Sequence, residues 1–268
     1  MTGVQTCALP ICGFNQNLDW FVTGTWFKEQ GWRDDSPSRI AQIFGKVGWR
    51  DNTTDVKVAL SHTDNRLHGS ALQEFRLLKL DYKSLYTKPD ITNNLASMVN
   101  IAATHAVNDN VMLSGNVYYR RIDTHTLNAD INEGSLDQSV YQPNAAERAA
   151  LAAAGYAGFP VAGANTNNTP FPFWRCNANV LLNDEPGEKC NALINRSSTR
   201  QENFGASAQV SAQGTLAGRK HQFTGGAAFD ASQVKFNQSS QIGYLNADRS
   251  VTPLPAFADG VKIGRAHV

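Results

Sequence analysis

The side chains best suited to chemistry in this chain are two cysteines and a scatter of histidines. Cys176 and Cys190 belong to the stretch WRCNANVLLNDEPGEKC, with thirteen residues between them. That separation is not the two-residue spacing of a redox or zinc pair, and no histidine lies near it. A covalent bridge and a metal or redox pair are the two readings to separate. His62, His68, His105, His125 and His221 are spread over different segments without the short spacings of a preformed metal site. No GxSxG elbow, phosphate-binding glycine loop or HExxH helix occurs. Asp, Ser and His are all present, as in any chain of this length, so no catalytic residue, cofactor site or metal ligand is assigned, and the protein is not expected to be an enzyme. What remains is recognition. Phe171, Phe173 and Trp174, beside the Asn-rich stretch at 164–172, could stack on a ligand or could pack the loop that carries them.

The elements that would position these residues are constrained by composition. The chain has 268 residues, 41% hydrophobic and 18% charged, with 24 basic against 23 acidic side chains and a formal charge of +1. Near-neutrality without a basic stripe excludes a nucleic-acid partner, because phosphates must be neutralised by clustered Lys and Arg. The charged fraction is below the roughly 25% of an ordinary soluble domain. Yet nowhere do about 18 consecutive apolar residues occur, which excludes a membrane-spanning helix. A β-barrel is the remaining membrane-embedded option, since there only every second residue need be apolar.

The two ends read differently from the body. Residues 1–11 (MTGVQTCALPI) and 263–268 (IGRAHV) are expected to be translated sequencing adapter, because TCALPI can be encoded by ACG TGT GCT CTT CCG ATC, and the opposite strand of that oligonucleotide encodes IGRAHV. A signal remnant would need a basic n-region and a longer apolar run. The expected protein segment is therefore 12–262, and setting Arg265 aside leaves 23 basic and 23 acidic residues.

Within that segment, apolar and polar residues alternate over stretches near ten residues, the period of a strand with two different faces. The clearest is 199–213, where Phe204, Ala206, Ala208, Val210 and Ala212 oppose Asn203, Ser207, Gln209, Ser211 and Gln213. Residues 222–232 repeat it with Phe223, Ala227, Phe229 and Ala231. With 111–120 and weaker stretches at 18–27, 39–50, 55–63 and 94–107, about seven strands are expected. Short turns at 51–54, 108–110 and 215–220 alternate with long connections at 28–38, 64–93 and 126–198, and another long one is expected to begin near Asn237. Outer-membrane barrels have this asymmetry, short on the periplasmic side and long outside, whereas long structureless connections count against a compact soluble domain. Trp20, Trp26, Phe27, Trp32, Trp49, Tyr118 and Tyr119 fall on or near strand ends, as interfacial aromatic girdles do.

Several stretches, in order, resemble the barrel of TonB-dependent outer-membrane receptors. QIFGKVGWR at 42–50 is similar to a family barrel strand, YTKPDITN at 86–93 to a recurrent stretch that enters a strand, and VYYRR at 117–121 to a strand leading to a large external loop. Some members carry in that loop a stretch similar to ERAALAAAGYAGFP at 147–160, followed by a cysteine pair. The resemblance spans about 18–261 and implies an all-β fold: a partial antiparallel transmembrane β-barrel, with long external loops and short periplasmic turns. It further implies a Gram-negative outer-membrane location, contact with outer-membrane lipid, a TonB complex acting through an N-terminal plug that this sequence does not contain, and uptake of a small-molecule ligand such as a siderophore-type iron chelate. A passive porin and a soluble or surface β-sandwich binding module are the alternatives.

If the barrel reading holds, the loop carrying Cys176 and Cys190 faces an oxidising exterior, and a disulfide is then the expected state of the pair. Residues 147–156 read as a short Ala-rich helix with Gly155 as its stop. A partial barrel would leave strand edges unpaired near Leu18 and Phe236, so no stable, active product is expected from 12–262 alone.

Overall fold

The computed structural model describes residues 5–69, 72–135, 142–162 and 173–257, with side chains described between residues 10 and 256. It is a nine-stranded antiparallel sheet in strict sequence order. The strands are β1 (Gln5–Asn15), β2 (Leu18–Glu29), β3 (Ser38–Arg50), β4 (Thr54–His68), β5 (Asp90–Asn108), β6 (Val111–Ile131), β7 (Ala192–Leu216), β8 (Arg219–Leu245) and β9 (Val251–Phe257). Among the described residues, helices occur only in the long connections: α1 (Phe75–Leu80), α2 (Ala145–Ala153), α3 (Phe173–Leu182) and α4 (Pro186–Lys189), with a 3-10 turn at Glu133–Ser135. Among the described residues, no helix is long and apolar enough to cross a membrane.

Every hairpin at one end of the sheet is tight. Ala217 and Gly218 both have positive φ (52° and 74°), the conformation that a two-residue turn needs to match the twist of its flanking strands. In the β3–β4 turn the Asp51 carboxylate accepts the backbone N–H groups of Thr53 and Thr54 at 2.8 and 2.7 Å. The amide of Thr53, then that of Thr54, holds the Asp51 pKa below its ordinary value. A carboxylate depressed in the folded state adds stability above its unfolded pKa and loses it as pH falls through the folded one. Asp51→Asn is therefore expected to flatten part of the acid-side decline in urea midpoint below about pH 5, measured on the full-length protein in lipid.

The register gives the sheet two distinct faces. Trp20, Val47, Val58, Ile101, Val117, Ala206 and Phe229 form one cross-strand row, and Val22, Gly45, Leu60, Val99, Tyr119, Phe204 and Ala231 the next. Among the described residues no layer covers this apolar face: Phe204 is 47% exposed, Phe223 66% and Phe229 62%. Alternate residues point the other way, and on β2 these inward positions are the half-buried ones, as on the hollow side of a curved sheet. The apolar stretch also slides along the strands. On β2 it runs up to Trp26, but Trp26 shares a row with Asp64, Asp123, Arg200 and Lys235, while on β8 it lies nearer the tight-turn end, from Phe223 to Ala231. Barrel strands tilt by roughly 35–45°, so a level apolar band must cross the rows obliquely in this way.

Three details differ from the sequence reading. The described residues form nine strands rather than about seven. β8 continues through 237–245 and turns into β9 over 246–250, where a long connection was expected. β6 and β7 likewise extend into the stretch read as loop. Outside a bilayer both faces of a strand are wet, so the apolar alternation fades at Asn237, Gln238 and Ser239 although the backbone ladder goes on. The extra strands are β9, whose Pro253 and Pro255 obscure it, and β1, which takes in Gln5–Ile11 of the segment read as adapter. An open sheet edge such as that of β2 pairs readily with adjoining chain.

Candidate functional site

Two regions could meet a ligand: the inward face and the cap at its long-loop end. The inward face is linked by uncharged hydrogen-bonding side chains. Asn116 donates to Asn100 at 3.2 Å and accepts from Ser207 at 2.5 Å. Thr124 donates to Asn94, Thr126 meets Ser197, and Ser240 donates to Asn195 at 2.8, 2.6 and 2.5 Å. Charge enters sparingly: Tyr118 donates to Asp230 at 2.7 Å, and Arg120 reaches Asn203 at 3.3 Å. Nearer the tight turns a cavity of about 630 Å³ opens on this face, where Ala102, Ser114, Ser207, Gly226 and Ala228 are too small to fill it and Asp55 and Lys57 supply charge at its edge. A wet, hydrogen-bonding inner surface opposite an exposed apolar one is the cross-section of a barrel wall.

The cap is built from the connection between β6 and β7. Asn144 and Glu147 form a reciprocal capping box that starts α2, slightly earlier than the expected 147–156, and Gly155 follows the helix with φ +83°. The side chain of Asn179 on α3 donates to Glu147 at 3.1 Å, tying the two helices. Cys176 and Cys190 are joined by a disulfide with Cα atoms 4.5 Å apart, and both are almost fully buried with Ile242 and Leu254. The Cys190 carbonyl accepts from Asn132 and Ser135 at 2.7 and 2.5 Å, which pins the end of the bridged segment to the top of β6. α3 thereby lies against β8 and β9 on the side of Leu193, Ile242 and Tyr244, the inward side.

Of the aromatic residues singled out for ligand contact, Phe171 lies outside the described residues. Phe173 and Trp174 are half-buried in a ring cluster: Phe173 packs on Tyr244 at 5.4 Å, and Trp174 meets Tyr156 and Phe159 edge-on at 6.0 and 5.9 Å. They join the cap to β8, and the exposed edge of Tyr156 is the cluster's wettest part. The distant partner Tyr244 had no sequence signal, since seventy residues separate it from Trp174. The girdle residues divide: Trp20, Trp26, Trp49 and Tyr119 face outward, Phe27 and Tyr118 inward, and Trp32 stacks on Tyr82 in the connections above. The histidines remain scattered, His62 against Ser97 and His105 against Thr54, both at 2.9 Å. Among the described residues no group of three or more His, Cys, Asp or Glu side chains could hold a metal.

The stretch YTKPD secures a second contact at the long-loop end. Thr87 donates to the Ala129 carbonyl at 2.7 Å, Arg249 to that of Tyr86 at 2.6 Å, and Lys88 bridges Ser250. The start of β5 and the start of β9 thus meet across the upper ends of β6 to β8, where Ala129, Ala192, Ile194, Leu245 and Val251 are buried together.

Solved structures share this arrangement. The ferric citrate transporter FecA aligns over 90% of the chain with a TM-score of 0.60 and 9% identity, and the pyoverdine-binding FpvA of P. aeruginosa over 98% with 0.60 and 10%. The chain has the fold of the corresponding part of these proteins. The ferric-catecholate import receptor Fiu of E. coli K12, in its open form, aligns over 98% with a TM-score of 0.54 and 10% identity. These neighbours are transport receptors, not enzymes, and the chain spans 28%, 31% and 37% of their respective lengths. No family model matches the sequence, and no curated protein matches it either.

Proposed function

We propose that residues 12–262 are the barrel segment of a Gram-negative outer-membrane receptor that imports a metal chelate of the siderophore class, driven by TonB through a plug domain outside this chain. The same reading sets residues 1–11 and 263–268 aside as adapter-derived. The observation that carries it is the two-faced sheet: an exposed apolar surface on one side, a hydrogen-bonded polar wall on the other, tight turns at one end and a disulfide-bridged cap at the other. The likeness in fold to FecA, FpvA and Fiu supports it. A soluble sandwich is disfavoured, because among the described residues no second layer covers Phe204, Phe223 and Phe229. The test is uptake of radio-iron chelates by cells with and without the full-length gene. Loss of uptake on deletion, and equal loss on removing TonB alone, is the expected result. Uptake that scales with solute size and ignores TonB would make the protein a passive porin instead.

A further inference from the structure

The stretch 82–88, between α1 and β5, is held at both ends by partners far from it in sequence. At one end it meets the β2–β3 connection. The Asp34 backbone N–H donates to the Lys83 carbonyl at 3.0 Å, the Arg33 guanidinium donates to that of Ser84 at 2.7 Å, and Trp32 stacks on Tyr82 with the rings inclined by 11°. At the other end it meets the turn between β8 and β9. The Lys88 N–H donates to the Arg249 carbonyl at 2.9 Å, and the Val251 N–H to the Lys88 carbonyl at 3.3 Å. The Arg249 guanidinium lies 4.9 Å from the centre of the Tyr86 ring while its Nε donates to the Tyr86 carbonyl, and the Lys88 ammonium reaches Asp248 at 3.4 Å.

The piece between these attachments is itself fixed. The Asp81 carboxylate accepts the Lys83 N–H at 2.9 Å, and the Asp81 carbonyl accepts the N–H and hydroxyl of Ser84 at 3.2 and 2.7 Å, which sets the turn at its start. Leu85 and Thr87 are each 5% exposed, and Thr87 is pinned to the Ala129 carbonyl. A short segment buried in its middle and bonded at both ends opens as a unit, because lifting one end wets Leu85 and strips Thr87 of its partner. The contacts continue past the turn. Leu254 on β9 is buried with Cys176, Cys190 and Ile242, beneath the cap. The β2–β3 connection, residues 82–88, β9 and the cap therefore form one line of packed contacts along the long-loop end.

We propose that residues 82–88 are a strap that couples the β2–β3 connection to the β8–β9 turn and, through β9, to the disulfide-bridged cap. The strap has two states, seated and lifted, and both of its ends bias the equilibrium between them. A ligand that displaces the β2–β3 connection thus shifts the same equilibrium as one that displaces the β8–β9 turn, and the coupling is reciprocal. The inference goes beyond the transport reading: it follows from contacts at the rim and is the same whatever the receptor imports.

The test is amide hydrogen exchange of the full-length receptor in detergent, without ligand, read by mass spectrometry. Asp34 and Val251 are the reporters, since each donates its N–H to a strap carbonyl, at opposite ends. Arg249→Gln, which removes the stack on Tyr86 and the bond to its carbonyl, is expected to raise exchange about tenfold at Asp34 as well as at Val251. Trp32→Ala is expected to do the same from the other end, raising exchange at Val251 about tenfold. The β6–β7 ladder around Ala208 stays unchanged in both. Heat-modifiable mobility reports whether each variant folds. If Arg249→Gln does not, Tyr86→Leu, which removes the ring and keeps the carbonyl, is expected to raise exchange at Asp34 about threefold. Exchange that rises only at the substituted end overturns the proposal, because the two attachments are then independent. A receptor whose ends are coupled in this way yet shows no TonB-dependent uptake would refute the transport function and leave the strap standing.

Discussion

Ala208→Arg in the full-length receptor is expected to destabilise the barrel by about 2–4 kcal/mol, whereas Gln209→Arg, one residue further along the same strand, is expected to be nearly neutral. The contrast follows from the register. Ala208 sits between Gly115 and Ala227 at the middle of the β7 apolar stretch, on the face where Phe204 and Phe229 stand uncovered. An arginine there must carry its charge into hydrocarbon or bend the bilayer to reach water. Gln209 lies across from Ser114 and Gly226 on the hollow side, beside the wet cavity, where a guanidinium keeps its hydration. Unfolding of each variant from lipid vesicles, followed by heat-modifiable mobility across a urea series, measures the difference. A soluble sandwich would give the same ranking, since a buried apolar face also rejects charge; what marks hydrocarbon is a penalty that falls to about 0–1 kcal/mol as arginine is moved along the same face toward either end of the apolar stretch.

The parts of the fold legible in the sequence are those where the solvent differs between the two faces. The alternation at Phe204, Ala206, Ala208, Val210 and Ala212 encodes an apolar stripe, and the structure places all five on one face with Phe223, Ala227, Phe229 and Ala231 across the hairpin. Short turns were legible for the same local reason, since Asp51 and Gly218 are chosen by backbone conformation. Legibility stops where the apolar alternation does. β7 and β8 are 25 and 27 residues long, more than twice the roughly 9–11 that hydrocarbon requires, and their upper halves carry no apolar period to announce them. The cap was harder still. α2 shows a helix signal in its alanines, but the contacts that fix it, Asn179 to Glu147 and Phe173 to Tyr244, join residues with no spacing in common.

The second large effect concerns the bridge that closes the cap. Replacing both Cys176 and Cys190 by alanine is expected to raise amide hydrogen exchange across 176–190 by on the order of a hundredfold, leaving the β7–β8 ladder near Ala208 and Ala227 unchanged. A bridge closing a loop of this length removes roughly 3 kcal/mol of freedom from the open state in the chain-entropy model. The competing restraints are smaller. The Cys190 carbonyl keeps its bonds from Asn132 and Ser135, and each such bond contributes only about 0.5–1.5 kcal/mol net. The packing of Ile242 and Leu254 beneath the sulfurs survives truncation to alanine in part, with a small void in place of each sulfur. The bridge should therefore dominate the opening of α3 and α4 while contributing little to the barrel, whose strands are held by their own ladder and by the bilayer. Limited proteolysis at 183–189 offers an independent check: cleavage of the wild type should accelerate on adding reductant, and cleavage of the double variant should not respond. If exchange in the cap is the same with and without the cysteines, the ring cluster around Trp174 holds it closed and the bridge is secondary.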